Sequence, residues 1–230
     1  MQIAIVDTGI ASIYKTSLRV ISGVYIKRQH DSSYIFDSDF SDYHGHGTAV
    51  AYLISILSPD SSLVAVRIAQ QNDSEFIVHV PEKTLALGID WCIEKGIRLI
   101  NVSYSIEEIS ENGILASVCQ KAQKNNIIIV AAYRNNSNIS VYPAAFPNVI
   151  GVSVLKNSDH GQISIVSEQN YDVAVFGGPY LVNSLNHKIT IVKGSSFATA
   201  QVTGMVGRML AIKPTLSFQQ VFNYLKKYSI

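Results

Sequence analysis

The chain opens "MQIAIVDTG" (residues 1–9), and the reading of this stretch decides the fold. Ile3 to Val6 is a short, unbroken apolar run that ends in the polar turn Asp7-Thr8-Gly9. A run of this kind reads as a strand buried on both faces, and such strands belong to parallel sheets covered by helices. Similar Val/Ile-rich runs recur at Val20 to Ile26, Leu63 to Ile68, Leu99 to Ser103, Ile127 to Ala131 and Val149 to Val154. Helical patterns fall between and after them, at His46 to Leu57, Glu82 to Lys95, Gly113 to Lys124, Ser196 to Leu210 and Ser217 to Lys227. Ser217 and Gln220 have the spacing of a capping box with Pro214 just ahead, and Gly96 follows Lys95 as a C-cap. Strands alternating with helices predict one α/β domain over residues 1–230, with no repeat, low-complexity tract or linker.

Composition narrows the function classes. Hydrophobic residues make up 47% and charged residues 15% of the chain, where about 25% charged is usual. That is a large core under a lean surface. The formal net charge of +1 and the absence of any basic run longer than Lys226-Lys227 leave nothing to neutralise a phosphate backbone, so nucleic acid is not an expected partner. Cys92 and Cys119 match no metal or redox spacing and read as two free, buried thiols, compatible with a reducing compartment. The longest apolar runs fall far short of the ~20 residues of a membrane span, and no signal-like segment opens the chain. The expectation is a cytoplasmic protein with no membrane association.

In parallel sheets, chemistry collects at the carboxyl ends of the strands. Three positions stand there: Asp7 after "IAIV", Asn101 to Ser105 after "RLI", and Tyr133 to Asn135 after "IIIVAA". A second cluster is "SDYHGHGTAV" (residues 41–50), with Asp42, His44 and His46. Three readings of these histidines compete. His-x-His with an aspartate supplies metal-type ligands, but His30, His79, His160 and His187 are scattered and complete no shell. A Gly-flanked histidine in a polar loop is commonly a surface residue, the reading that suits His44. His46 opens an apolar helix, and near the C-terminus "GSSFATAQVTG" places serines at the start of another. An aspartate, a histidine and a serine at a helix N-terminus are the parts of a nucleophilic triad. Asp-Thr-Gly also marks sites built from two such aspartates, and this chain carries one.

Taken together, "IVDTGI", "HGHGTAVA" and "GSSFATAQVTG" resemble the aspartate, histidine and serine motifs of the subtilases, the subtilisin-like serine proteases, in the family's chain order. The resemblance runs over almost the whole chain. It implies a three-layer α/β fold with a mostly parallel seven-stranded sheet and helices on both faces. It also implies hydrolysis of peptide or protein substrates by Asp7, His46 and Ser196, with Ser196 rather than Ser195 as nucleophile and no cofactor. "INVSYS" resembles the strand that holds substrate, giving Ser103, Tyr104 and Ser105 as binding residues, and "VAAYRNN" implies Asn135 as the oxyanion donor. The segment "QNDSEFIVHVPEK" is expected to form the facing wall of the cleft.

The chain departs from the family pattern in three places. Small residues, often Ala-Gly, usually precede the oxyanion asparagine; here Tyr133-Arg134 stand there. Arg134 then either selects an acidic side chain before the scissile bond, or points to solvent, or joins Tyr133 in blocking the pocket. The blocked case leaves a silent or very slow peptide-binding protein. The loop that wraps calcium in many subtilases is absent after His46, so no such metal site is expected. With the first strand at the very start of the sequence, the expectation is a compact intracellular form without a pro-segment, specialised in peptide maturation. Ala200, where the family often has proline, simply suits a helix.

Overall fold

The computed structural model describes residues 1–69, 80–109, 113–134, 140–156, 159, 162–167, 170 and 172–229. In chain order the elements are β1 (Gln2–Asp7), β2 (Val20–Arg28), β3 (Tyr34–Asp37), α1 (His46–Leu57), β4 (Ser62–Arg67), α2 (Glu82–Glu94), β5 (Leu99–Val102), α3 (Ile114–Lys124), β6 (Ile128–Ala132), β7 (Ile150–Val154), β8 (Ile163–Ser167), β9 (Asp172–Val175), β10 (Tyr180–Asn183), β11 (Ile189–Val192), α4 (Ser195–Ile212) and α5 (Phe218–Lys227).

Among the described residues the main sheet has nine strands in the order β3-β2-β4-β1-β5-β6-β7-β9-β8. Seven consecutive strands, β2 to β9 in that order, are parallel. The expected seven-stranded sheet is therefore present, and β3 and β8 extend it as antiparallel edges. A separate two-stranded ribbon joins β10 to β11. Sequence reading missed β3 and β8 to β11, each four or five residues long; β5 to β7 are as short, but each sits in a longer Val/Ile-rich run.

Strand alternation sorts the apolar residues into two cores. Ile3 and Ile5 of β1 join one core with α1, α4 and α5. Ala4 and Val6 join the other with α2 and α3. All four are at most 1% exposed, and burying an isoleucine or valine contributes about 1.5–3 kcal/mol each. Asp7 continues the parity of Ile3 and Ile5, so its side chain is directed to the α1–α4 side.

α1 and α4 lie side by side beneath the sheet. Their approach is close where Gly204 meets Leu57: a Cβ on Gly204 would sit 2.5 Å from the Leu57 Cβ. The expected caps are present. Ser217 Oγ accepts from the Gln220 amide at 3.3 Å while Gln220 Oε1 accepts from the Ser217 amide at 2.9 Å. Gly96 takes a left-handed φ of 66° after α2. Cys92 and Cys119 are free and buried; burial pushes the Cys119 thiol up to about 12 and Cys92 further still. No described helix is long and apolar enough to cross a membrane.

Candidate active site

From β1 the chain builds one side of the sheet through β2 and β4, then crosses to the other side at β5. The reversal lies between β1 and β5, and their carboxyl ends carry Asp7 and Ser103. Such a switch point leaves a crevice that loops do not fill.

Asp7 has no exposed surface. Its Oδ1 accepts from the Thr8 amide at 2.7 Å and lies 2.7 Å from His46 Nδ1. An ionised carboxylate can only accept, so His46 Nδ1 carries the proton and Nε2 is left with a lone pair. Burial opposes the Asp7 charge, but His46 and the hydrogen bonds from His46, Thr8 and Ser103 outweigh it, holding the carboxyl below its usual value. Burial likewise opposes an imidazolium at His46, yet the Asp7 charge and hydrogen bond, with the Asp42 charge, raise its pKa above 6.5. The other oxygen, Asp7 Oδ2, is buried with no partner of good hydrogen-bond geometry among the described residues.

His46 is the first residue of α1, and what precedes it fixes that helix. Gly45 adopts a left-handed φ of 99°. Gly47 permits contact with β1, since a Cβ there would lie 2.3 Å from Gly9 O and 3.1 Å from Asp7 Oδ1. Asp42, 4% exposed, ties the region together. Its Oδ1 accepts from Thr8 Oγ1 and from the amides of His44 and Gly45 at 2.8–2.9 Å. Its Oδ2 accepts from the Thr48 amide and hydroxyl at 2.9 and 2.6 Å. Thr8 Oγ1 in turn accepts from the Gly47 amide at 2.8 Å. With both oxygens so occupied, Asp42 has no lone pair directed at a metal. The His44 ring is 6.3 Å from His46, and among the described residues no group of three His, Cys, Asp or Glu side chains is arranged to hold a metal ion.

Ser196 lies in the first turn of α4, behind Gly194 with its φ of 130°. Ser195 is buried and its carbonyl accepts from Thr199 Oγ1, whereas Ser196 is only half-buried. The next residue, Phe197, sets its ring 5.5 Å from that of His46 and so brings this turn to the histidine. α4 is tied to β5 from below: Thr203 Oγ1 donates to Asn101 Oδ1 at 2.9 Å, and Asn101 Nδ2 donates to Ser103 Oγ at 3.0 Å.

The remaining sequence candidates divide. Ser103 and Tyr104 are half-buried and Ser105 is exposed, all directly after β5. Burial, then the Asp7 and Asp42 charges, push the Tyr104 hydroxyl pKa up. Tyr133 donates its hydroxyl to Asp172 Oδ1 at 3.0 Å. Its ring covers β7 where a Cβ on Gly151 would come within 2.5 Å of it. Arg134 forms an ion pair with Glu107. Asn135 and most of the expected facing wall (71–79 of residues 71–83) lie outside the described residues.

Sequence reading missed the work of Thr8, Thr48, Glu107, Asp172 and Thr203, and it singled out Asp42 and Asn101 without assigning them these roles. Both carried a signal, Asp42 as an aspartate just ahead of a helix start and Asn101 by its place near a strand's carboxyl end.

Comparison with known proteins identifies the family. The subtilase family model matches residues 1–228. Subtilisin DY of Bacillus licheniformis is 28% identical over 241 residues, spanning 98% of this chain and 82% of that protein. Subtilisin-like protease het-Q2 of Podospora anserina is 32% identical over 74% of this chain and 50% of its own length. The thermostable alkaline protease of Halalkalibacterium halodurans is 27% identical over 96% of this chain and 59% of its own. The chain thus spans half of the first of these two proteases and about three fifths of the second. In fold it is similar to the S41 psychrophilic protease, with a TM-score of 0.79 at 18% identity over 98% of this chain and 82% of that one.

Proposed function

From the chain's membership of the subtilase family, and hence of the serine endopeptidases, we propose that it cleaves peptide bonds with Asp7, His46 and Ser196. The observation that carries this reading is the 2.7 Å contact between His46 Nδ1 and Asp7 Oδ1, with the Ser196 turn packed on the same imidazole through Phe197.

The steps follow from the chemistry of these groups. His46 Nε2 removes the proton from Ser196 Oγ as the oxygen attacks the scissile carbonyl carbon. Asp7 keeps Nδ1 protonated and stabilises the imidazolium that forms. His46 then passes the proton to the departing amine, the acyl group stays on Ser196, and water releases it by the same route. The Ser196 amide and the Asn135 side chain would receive the oxyanion; losing one such donor costs ~10²–10³ in turnover. A peptide in extended form would lie along Ser103 to Ser105, held by backbone hydrogen bonds. A reducing compartment suits Cys92 and Cys119, both unpaired, and a narrow role such as peptide maturation suits the bulky Tyr133-Arg134 pair.

The test is labelling with a fluorophosphonate probe beside Ser196→Ala and His46→Ala variants. The parent is expected to label and both variants to stay dark. A folded parent that does not label would sink the reading.

A further inference from the structure

We propose that Glu107 is a specificity-determining residue. By holding the Arg134 guanidinium it cancels the positive charge at the rim of the primary pocket, so that the pocket prefers a neutral side chain to an acidic one. The inference rests on the endopeptidase reading above and says what charge of substrate that site accepts.

β5 and β6 stay in register only as far as Val102 and Ala131. Beyond that point the two segments part. The Tyr133 amide donates to Val152 O on β7 at 2.8 Å, and Ile106 is caught by Tyr142 through two backbone hydrogen bonds of 2.8 and 2.9 Å. The parted segments, residues 103–106 and 132–134, flank the space beside Ser103 and therefore beside Asp7. That space is where a side chain entering from Ser103–Ser105 would lodge.

The side chains on its rim settle its charge. Tyr133 is drawn away toward β7 and β9, its hydroxyl on Asp172 and its ring over Gly151. Arg134 leaves the β6 wall and Glu107 leaves the β5 wall, and the two meet as an ion pair joining the walls. Their side chains are 58% and 41% exposed. A pair so solvated adds little to stability, so removing it leaves the fold intact. It nonetheless determines what an incoming carboxylate meets: a guanidinium already paired, and a second carboxylate beside it. Without Glu107, the Arg134 fork is released to make a charge-assisted pair with the substrate.

Two peptides that differ only in Glu or Gln before the scissile bond isolate the charge. The parent is expected to cleave the Gln peptide with the higher kcat/KM. In Glu107→Gln the Glu-to-Gln ratio of kcat/KM should rise about tenfold, an effect that shrinks with added salt. The rise should vanish in the Glu107→Gln/Arg134→Gln double variant. Glu108→Gln, which changes the net charge equally, should leave the ratio within about twofold of the parent. A ratio unmoved by Glu107→Gln, a rise that persists without Arg134, or an equal rise in Glu108→Gln each overturns the proposal while leaving the endopeptidase reading in place. A parent that cleaves neither peptide overturns both.

Discussion

Asp42, just before α1, and Glu107, just after β5, are carboxylates held in opposite ways. Asp42 is 4% exposed and accepts from three backbone amides and two threonine hydroxyls. Glu107 has a side chain 41% exposed and meets one arginine in solvent. The first is part of the interior: it fixes the start of α1 and through it the place of His46. The second belongs to a surface that can be rebuilt without touching the fold. The groups that would move protons are thus secured by buried hydrogen bonds, and the groups that would choose among substrates by a solvated pair. Substitutions at the two sites should differ in kind as well as in size.

The largest effect is expected among the buried groups. Asp7→Asn should lower kcat by about 10⁴, as loss of the carboxylate does in related triads. In the proposed mechanism activity requires a neutral His46, whose pKa Asp7 raises above 6.5. In the parent, kcat/KM should fall as the pH drops through a midpoint above that value. The residual activity of Asp7→Asn should hold to lower pH, because the charge that raised the pKa is gone; an unmoved acid limb would break the coupling. The same pair has a stability window. The Asp7 contribution is present above pH 3.8 and lost as pH falls through its lowered pKa, while the His46 contribution fades as pH rises through its raised one.

Next is Asp42→Ala, which would leave five donors without an acceptor. A loss of about 3 kcal/mol or more in urea unfolding is expected, with activity falling alongside. A loss under about 1 kcal/mol would mean that water replaces the carboxylate and that the contrast with Glu107 is overstated.

The smallest effect sharpens the comparison from the β6 side. Burial pushes the Asp172 carboxyl up to about 6 despite the hydrogen bond from Tyr133 that favours its charge. The native state then binds the proton more tightly than the unfolded chain, and stability falls as pH rises from 3.8 to about 6. Asp172→Asn keeps an acceptor for Tyr133 and removes that cost. Allowing for solvent screening, it should add about 1 kcal/mol at pH 7, read as a rise of about 2–4 °C in Tm, and almost nothing at pH 3.5. No gain at pH 7 would show Asp172 to be as solvated as Glu107.

The legible parts of this molecule are those with a period or a fixed spacing. The Ile3 to Val6 run, the helix after His46 and the capping box at Ser217 each carried their own signal, and the structure has all three. β9 is a parallel strand of the main sheet with all four residues buried, yet "DVAV" is no longer than many turns. Glu107 was invisible for another reason: nothing local distinguishes it from Glu108, and its partner Arg134 is 27 residues away, just beyond the end of the next strand. Long-range pairs between unremarkable residues appear only once the strands are laid side by side.

The alternation in β1 has a last consequence, concerning length rather than identity. Ile3 and Ile5 face one core, Ala4 and Val6 the other, and Asp7 is aimed by the same count. A single codon lost between residues 3 and 6 would keep the strand apolar and plausible, yet turn every side chain to the wrong layer. The carboxylate would arrive on the side of α2 and α3, with the imidazole on the other side of the sheet. Within this strand substitutions are a matter of degree, whereas insertions and deletions are all or nothing.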